Sequence, residues 1–549
     1  KCKTMKNGHR PFLKSYSSLL LYILFWEENP LKRYLLQLRI ISLMLAAVFL
    51  FVGCAGSDTV TDTVTTEVTD TETDADTTTV SPETEETSAD GTSVQEETSA
   101  GEDETTAEQT SAVEDETTAA GEPENVSVSY SELSLDSVSE LKEYISDGAL
   151  DTYSLPIIYI TTEGGSEITS TEEYISGSFS IFYKGTETYS DIEEKSMNVR
   201  GRGHSSWKLD KKSYKIKFDK KTSLFGLTAA KEWCLIANHS DCSLIRNTLA
   251  MEMATVLDSF IFVPTSHMVD VFLNGTYIGV YSICEQIEMK DGRIPGDRNS
   301  TEVDTDYLLE LGGNEKATSF GNNVFATELC VYVTIEEPDE AVLTYAQYSY
   351  ISSYLKAVDD AIMSGEGYEE YIDVPSFVDY FILLEFSYNT DGVFRRSNFI
   401  YKKAGGLLYM ASPWDYDYAF GNFSLDTYSY DDWISLGNTK TDNWNEYIKD
   451  NWMTYLLKDD AFREQLKERW NEVGEALYNK AMSTIEELEI TVAASAAENF
   501  AVWDDILGTQ IQYQSSKTGA LTTWEEHIEY LKSFIEKRYK WMDKTINAM

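Results

Sequence analysis

The chain has 549 residues, with 44 Lys/Arg against 93 Asp/Glu, so its formal charge is −49. That balance excludes a general nucleic-acid binder, which needs basic surface to displace counterions from phosphate, and a peripheral protein held on anionic lipid by charge alone. With 42% hydrophobic and 13% aromatic residues, the chain is long enough to bury a core of two lobes or more.

Charge divides the sequence into three parts. Residues 1–56 carry eight Lys/Arg and two Asp/Glu, residues 57–125 carry 22 acidic residues and no Lys or Arg, and residues 126–549 hold the rest. Within residues 1–54, Lys32, Arg33 and Arg39 precede the apolar run Ile40–Val52, which ends at Gly53-Cys54. The run is short for a membrane span and suits the apolar region of a signal peptide. A small residue followed by cysteine resembles a lipoprotein box, which would place a lipid on Cys54 and hold the exported protein on the extracellular face of the cell membrane. The alternative is an ordinary signal peptide with a chance cysteine.

Residues 55–125 form a Thr/Glu/Asp/Ser/Ala tract without an aromatic residue. Such a segment cannot bury enough apolar surface to offset its ordering entropy, and its like charges keep it extended. About 70 residues of flexible chain span roughly 45 Å r.m.s., so the tract reads as a disordered acidic stalk. Residues 126–549 are the globular part. Their cysteines, Cys234, Cys242, Cys284 and Cys330, show no CxxC or Cys/His spacing suited to zinc, and are expected in the core by default; the alternative in an exported protein is one or two disulfides among them, whose connectivity the sequence does not give.

The globular part begins with strands. Leu155–Thr161 and Gly177–Tyr183 are rich in β-branched and aromatic residues. Met197–Val199 leads into Arg200-Gly-Arg-Gly-His-Ser-Ser-Trp207. Lys212–Phe218 alternates Tyr214, Ile216 and Phe218 with polar residues, the pattern of a half-buried strand. Trp233–Ala237 is a further apolar run, Ser243–Leu257 has helical period, and Met268–Leu273, Asn274-Gly275, Tyr277–Ile283 is a hairpin by its Asn-Gly turn. From Val342 onward the pattern is helical over 342–364, 375–388, 453–479, 482–503 and 522–548. A hairpin interrupts it at Asn398–Tyr401 and Leu407–Met410. The expected class is α+β, with a strand-rich N-terminal lobe and a helix-rich C-terminal lobe after the acidic linker.

The chemistry gathers around that second hairpin. Asn389-Thr-Asp391-Gly392 and Arg395-Arg-Ser-Asn398 precede it, and Pro413-Trp-Asp415-Tyr-Asp417 follows. The two ends of an antiparallel hairpin lie side by side, so the two loops must meet. Carboxylate and amide oxygens brought together in this way suit Mg²⁺ or Mn²⁺. They parallel a phosphotransfer site, in which one Asp serves the acceptor hydroxyl while an Asn and a second Asp hold metal. The structural alternative has Asp415 and Asp417 capping a turn and Asn398 opening a strand. Likewise Arg200 and Arg202 face either phosphate or the carboxylates of a turn, and Arg246 is read as the partner of Asp241.

Five ordered blocks resemble the CotH spore-coat kinases, atypical secretory-type protein kinases. They are Arg200–Trp207 with Lys212-Ser-Tyr214; Asp241 with Ile245-Arg-Asn247; Leu273–Tyr281 with Glu285; Asn389–Gly392; and Pro413–Asp417 with Gly421. The resemblance implies an atypical protein-kinase-like bilobal fold, ATP and Mg²⁺ (or Mn²⁺) as cofactors, and phosphate transfer to Ser/Thr of a protein substrate. It implies Asp391 as the loop aspartate of catalysis and Asp415 as the metal-binding aspartate, with Asn398 and Asp417 as supporting ligands. Arg202 and Lys212 would face the phosphates. By analogy with the lysine–glutamate pair of kinases, Glu285 would orient Lys212. A non-catalytic surface module for adhesion or wall assembly is the alternative, since a fold does not fix function. A glycosidase using Asp391 and Asp415 is a third reading. The acidic surface repels ATP unless metal intervenes, so the site is expected to be silent without a divalent cation.

Overall fold

The structure is a computed structural model that describes residues 128–184, 188–312, 318–330, 332–390, 392–394, 396–423, 430–436 and 450–549. The leader, Cys54 and the acidic stalk therefore lie outside the described residues, as do Asp391 and Arg395.

After helix α1 (Val138–Ser146), seven strands close into a barrel: β1 (Ile157–Thr162), β2 (Ile175–Phe182), β3 (Ile192–Arg202), β4 (Ser213–Thr222), β5 (Ala230–Ile236), β6 (Ser266–Leu273) and β7 (Thr276–Glu285). Their order is β1-β2-β3-β4-β5-β7-β6, and a parallel β1–β6 pairing completes the ring. Alternation sends Val199, Ile216, Trp233, Leu235 and Ile283 into the barrel core, because successive side chains on a strand point to opposite faces. The Asn-Gly turn between β6 and β7 works as the sequence implies, with Asn274 at φ 50° and Gly275 at φ 87°.

Helix α2 (Arg246–Ala254) separates β5 from β6. A second sheet follows, with β8 (Tyr307–Leu311), β9 (Val324–Phe325) and β10 (Val333–Glu337), and it is joined by the later hairpin β11 (Asn398–Lys402) and β12 (Leu408–Ser412). Its order is β12-β11-β8-β10-β9. Helices α3 (Tyr345–Ser364), α4 (Val374–Ser387), α5 (Trp452–Leu456), α6 (Asp460–Val502), α7 (Ser516–Gly519) and α8 (Trp524–Asn547) complete the helical half. A continuous core joins this sheet to the helices, from Leu309 and Met410 through Phe377, Phe381 and Leu384 to Leu466 and Ile535. Among the described residues no helix is long and apolar enough to cross a membrane.

Two expectations change. The segments read as separate helices over 453–479 and 482–503 become short α5 and one long α6. The side chain of Asp459 caps the start of α6, and a buried stripe at Leu477, Ala481 and Ile485 runs through the supposed break. No Gly or Pro falls between Tyr478 and Ile485, so nothing terminates the helix there. The second change is that the strand-rich half is a closed barrel, with β8–β10 forming part of a separate sheet.

Candidate functional site

Helix α4 ends at Ser387, and Tyr388 turns the chain out of it at φ 51°. Asn389 then reaches across to the loop beyond β12. Its Nδ2 donates to the main-chain oxygen of Asp415 at 3.0 Å, and its Oδ1 accepts from Gly392 N at 3.3 Å. Glycine at 392 leaves room for this amide, because a Cβ there would lie 2.7 Å from the Asn389 amide nitrogen and displace it. The Ser397 hydroxyl donates to Asp415 Oδ2 at 2.9 Å. The loops on either side of the hairpin thus meet at Asp415. Phe394, Ser397 and Asp415 have φ of 47°, 56° and 67°, a conformation uncommon for non-glycine residues that persists only where surroundings impose it.

The barrel half imposes part of it. Asn247, in α2, accepts from Tyr416 N at 2.7 Å and donates to Asn238 at 3.1 Å. Arg246 forms a fully buried ion pair with Asp241, and its Nε donates to the Ala419 carbonyl at 3.1 Å. Asn422 donates to the carbonyls of Ser240 at 2.8 Å and Asp417 at 2.7 Å. A buried charge pair of this kind adds little net stability but is costly to break, so it acts as a fixed strut for the 415–422 loop.

Arg202, at the end of β3, lies over the Trp414 ring at 5.4 Å, next to Asp415 in sequence. Behind Asp415 lies Glu310 of β8, paired in register with Phe399 of β11. Burial, with the like charges of Glu336 and Asp415, pushes the Glu310 carboxyl up to about 8, against the opposing influence of the Ser397 N–H and Arg202. Asp415, Glu310 and Arg202 therefore share one electrostatic neighbourhood. A carboxyl perturbed by burial and by charged partners in such a place marks a candidate functional site. Glu310 is absent from the sequence reading. Its only signal there is a lone acid inside the apolar run Tyr-Leu-Leu-Glu-Leu.

Residues 199–542 match the family described as CotH kinase protein. The chain belongs to the CotH kinase family. No curated protein matches it. The family match covers the barrel strands from the end of β3 onward, the second sheet and nearly all of the helical half.

Within this CotH domain the expected lysine–glutamate pair is not formed. Lys212 donates to the Trp207 carbonyl at 2.8 Å and lies over the Trp207 ring at 5.3 Å. Glu285 accepts from Thr265 N at 3.2 Å and lies 3.8 Å from Arg293. The register explains this. Glu285 is level with Trp233, and Trp233 with Ile216. Lys212 is therefore displaced four residues along the strand, about 13 Å, and two strands across. The two arginines also divide their work: Arg200 holds the Thr171 carbonyl and packs on Tyr174, while Arg202 alone turns to Trp414. Gly201 allows the close approach of Trp207, whose ring would lie 2.4 Å from a Cβ.

Asn398, expected as a supporting ligand, braces its own loop instead. Its Oδ1 accepts from the Tyr380 hydroxyl and from Phe394 N at 3.1 Å, and its Nδ2 donates to the Arg396 carbonyl. Both ends of the amide are thus committed. Asp417 stands two residues beyond Asp415 with a half-buried side chain. Among the described residues no group of three His, Cys, Asp or Glu side chains is placed to hold a metal ion. The hard oxygen donors of Asp415 and Glu310, the charge of Asp415 being one of those that raise the Glu310 carboxyl, nevertheless fit a divalent cation of the Mg²⁺ type.

Proposed function

We propose that this CotH domain transfers the γ-phosphoryl group of ATP to a serine or threonine of a protein substrate, with Mg²⁺ or Mn²⁺ held at Asp415. The observation that supports this reading is the presentation of Asp415. Asn389 and Ser397 grip it from the loop before the hairpin, Arg202 and Trp414 stand beside it, and Glu310 lies behind it.

Asp391 orients the acceptor hydroxyl and takes its proton as the new oxygen–phosphorus bond forms and the bond to the β-phosphate oxygen breaks. Asp415 and Glu310 offer carboxylate oxygens, and a bound divalent cation supplies neutralisation of phosphate charge. Arg202, aligned by the Trp414 face, sets a positive charge where negative charge develops on the transferred group. Lys212 reaches phosphate only by leaving the Trp207 carbonyl, so Arg202 is the principal cation of this reading. The lipid on Cys54 and a place on the extracellular face of the membrane complete the proposal.

The full chain should show a rise in melting temperature with ATP only when Mg²⁺ or Mn²⁺ is present, and should transfer label from γ-labelled ATP to itself or to a Ser/Thr-rich protein. Unchanged labelling in Asp415→Asn would remove the metal role from Asp415. A melting temperature indifferent to nucleotide and metal together would favour the non-catalytic adhesion or wall-assembly reading.

A further inference from the structure

Two cysteines face each other across neighbouring strands. Cys234 of β5 and Cys284 of β7 are register partners, and each is 1% exposed. They share a hydrogen bond and form a small buried cluster with Met251, against which Ile236 and Trp414 pack. Directly opposed residues in an antiparallel pair have Cα atoms about 4.5–5.5 Å apart, inside the 4.4–6.8 Å range of disulfides. The other two cysteines of the barrel and helical halves have different surroundings. Cys242 contacts the Gln514 amide at 3.8 Å, and Cys330 lies in the helical core.

The pair belongs to the wall that carries the candidate site. One rung of the barrel runs Arg200, Lys215, Cys234, Cys284, Ser266, and Arg202 lies two rungs along on the same face. Trp414 covers the cysteines and also receives the Arg202 guanidinium. We propose that Cys234 and Cys284 are a disulfide-forming pair, oxidised by exchange with the disulfide of a dithiol carrier or of a low-molecular-weight thiol, and that the bond fixes the wall beneath Trp414 and Arg202.

The exchange balances as two steps. The Cys234 thiolate attacks one sulfur of the donor disulfide, forming a mixed disulfide and expelling a donor thiolate. Cys284 then gives up its proton and attacks the Cys234 sulfur, expelling the second donor thiol. The two protein thiols together lose two electrons and two protons, and the donor disulfide gains them. Before the strands close, the first step draws on the thiolate fraction of Cys234, the thiolate being the attacking species. Burial places the exchange before β7 closes on β5, during folding. Nothing in the proposal depends on phosphoryl transfer.

The test refolds the denatured full chain in glutathione buffers from reduced to strongly oxidised, traps free thiols with iodoacetamide under denaturing conditions and maps peptides without reduction. The expected product is a bridge joining the Cys234 peptide to the Cys284 peptide, with Cys242 and Cys330 alkylated. In Cys234→Ser, Cys284 should be alkylated in every buffer. Oxidised protein should melt about 5 °C above reduced protein, a difference absent from the Cys234→Ser/Cys284→Ser double variant. Alkylation of both cysteines in the most oxidised buffer, or a bridge through Cys242 or Cys330, would overturn the pairing. A Cys234–Cys284 bridge that leaves the melting temperature unchanged would overturn its role in fixing the wall.

Discussion

Ser397 joins two carboxylates at once: its hydroxyl donates to Asp415 Oδ2 at 2.9 Å, and its main-chain N–H faces the Glu310 carboxylate. It does so from the left-handed region, at φ 56°. Removing the hydroxyl leaves an Asp415 oxygen without its donor and releases the side chain from one orientation. Ser397→Ala should lower kcat about tenfold, equivalent to roughly 1.4 kcal/mol. Ser397→Gly should lower it as much while relieving the backbone, since glycine takes this conformation at little cost. Steady-state kinetics and denaturant melts of the two variants check this. Equal kcat losses with better stability for glycine are expected.

Glu310→Gln separates the site's chemistry from its stability. Because burial and like charge raise the folded pKa of Glu310 to about 8, folding favours its protonated form. Its contribution is fully present below the unfolded value near 4.5 and is lost as pH rises through about 8. Glutamine escapes that loss, so without divalent cation Glu310→Gln should be the more stable protein by up to about 3 kcal/mol at pH 7. The same variant should weaken the Mg²⁺-dependent melting shift with ATP. A variant that is less stable than the parent at pH 7 would contradict the electrostatic account.

What the sequence discloses of this site follows from locality. The hairpin β11–β12 and its flanking loops lie within some thirty residues, and the side-by-side ends of an antiparallel pair are enough to bring Ser397 and Asn389 to Asp415. The Asn274-Gly275 turn is legible for the same reason. Glu310 is not, because it comes to Phe399 through a sheet pairing that spans ninety residues, and β8 is a short buried strand without alternation. The Lys212–Glu285 separation also depends on long-range order, since β7 lies between β5 and β6 and so sets the register between Lys212 and Glu285. Asn398 sits at the foreseen end of the hairpin, but Tyr380 of α4 occupies its amide, a contact no spacing rule reveals.

Arg200 and Arg202 differ by two residues and share a barrel face, yet their replacement should separate cleanly. Arg202 stacks on Trp414 beside Asp415, whereas Arg200 holds the Thr171 carbonyl. Arg202→Ala should raise the Kd for MgATP about tenfold, and Arg202→Lys should recover only part of it, because an ammonium lacks the planar stacking surface. Arg200→Ala should leave nucleotide affinity within about twofold and cost about 1 kcal/mol of stability. Isothermal titration with MgATP, beside thermal melts, distinguishes the two; a larger affinity loss for Arg200→Ala would reverse the assignment.

The seam between the barrel and α6 carries a pH dependence of its own. Asp270 of β6 is completely buried and accepts from Tyr277 at 2.7 Å and from Ser495 of α6 at 2.7 Å. Burial pushes its carboxyl up to about 7; the two hydroxyl donors and Lys184 oppose the rise, and Glu498 adds to it. The folded state thus keeps a proton that the unfolded chain releases near 3.8. Stability from this group is complete below about pH 4 and is lost as pH rises through about 7, by as much as about 1.4 kcal/mol per pH unit within that window. Lys211, hydrogen-bonded to Asn499 of the same helix at 2.7 Å, is displaced in the opposite direction, lowered by burial to about 7. Its loss accrues as pH falls from about 10.5 to 7, so it leaves the acid window to Asp270. Tyr277 and Ser495 donate to different oxygens of Asp270; Asp270→Asn keeps an oxygen for one of them, lets the other hydroxyl accept from the new amide nitrogen, and removes the titration. Urea denaturation of both proteins at pH 4.5, 5.5 and 6.5 should show the stability difference moving steadily in favour of Asp270→Asn as pH rises. A difference constant across the three pH values would mean that Asp270 is ionised in the folded protein.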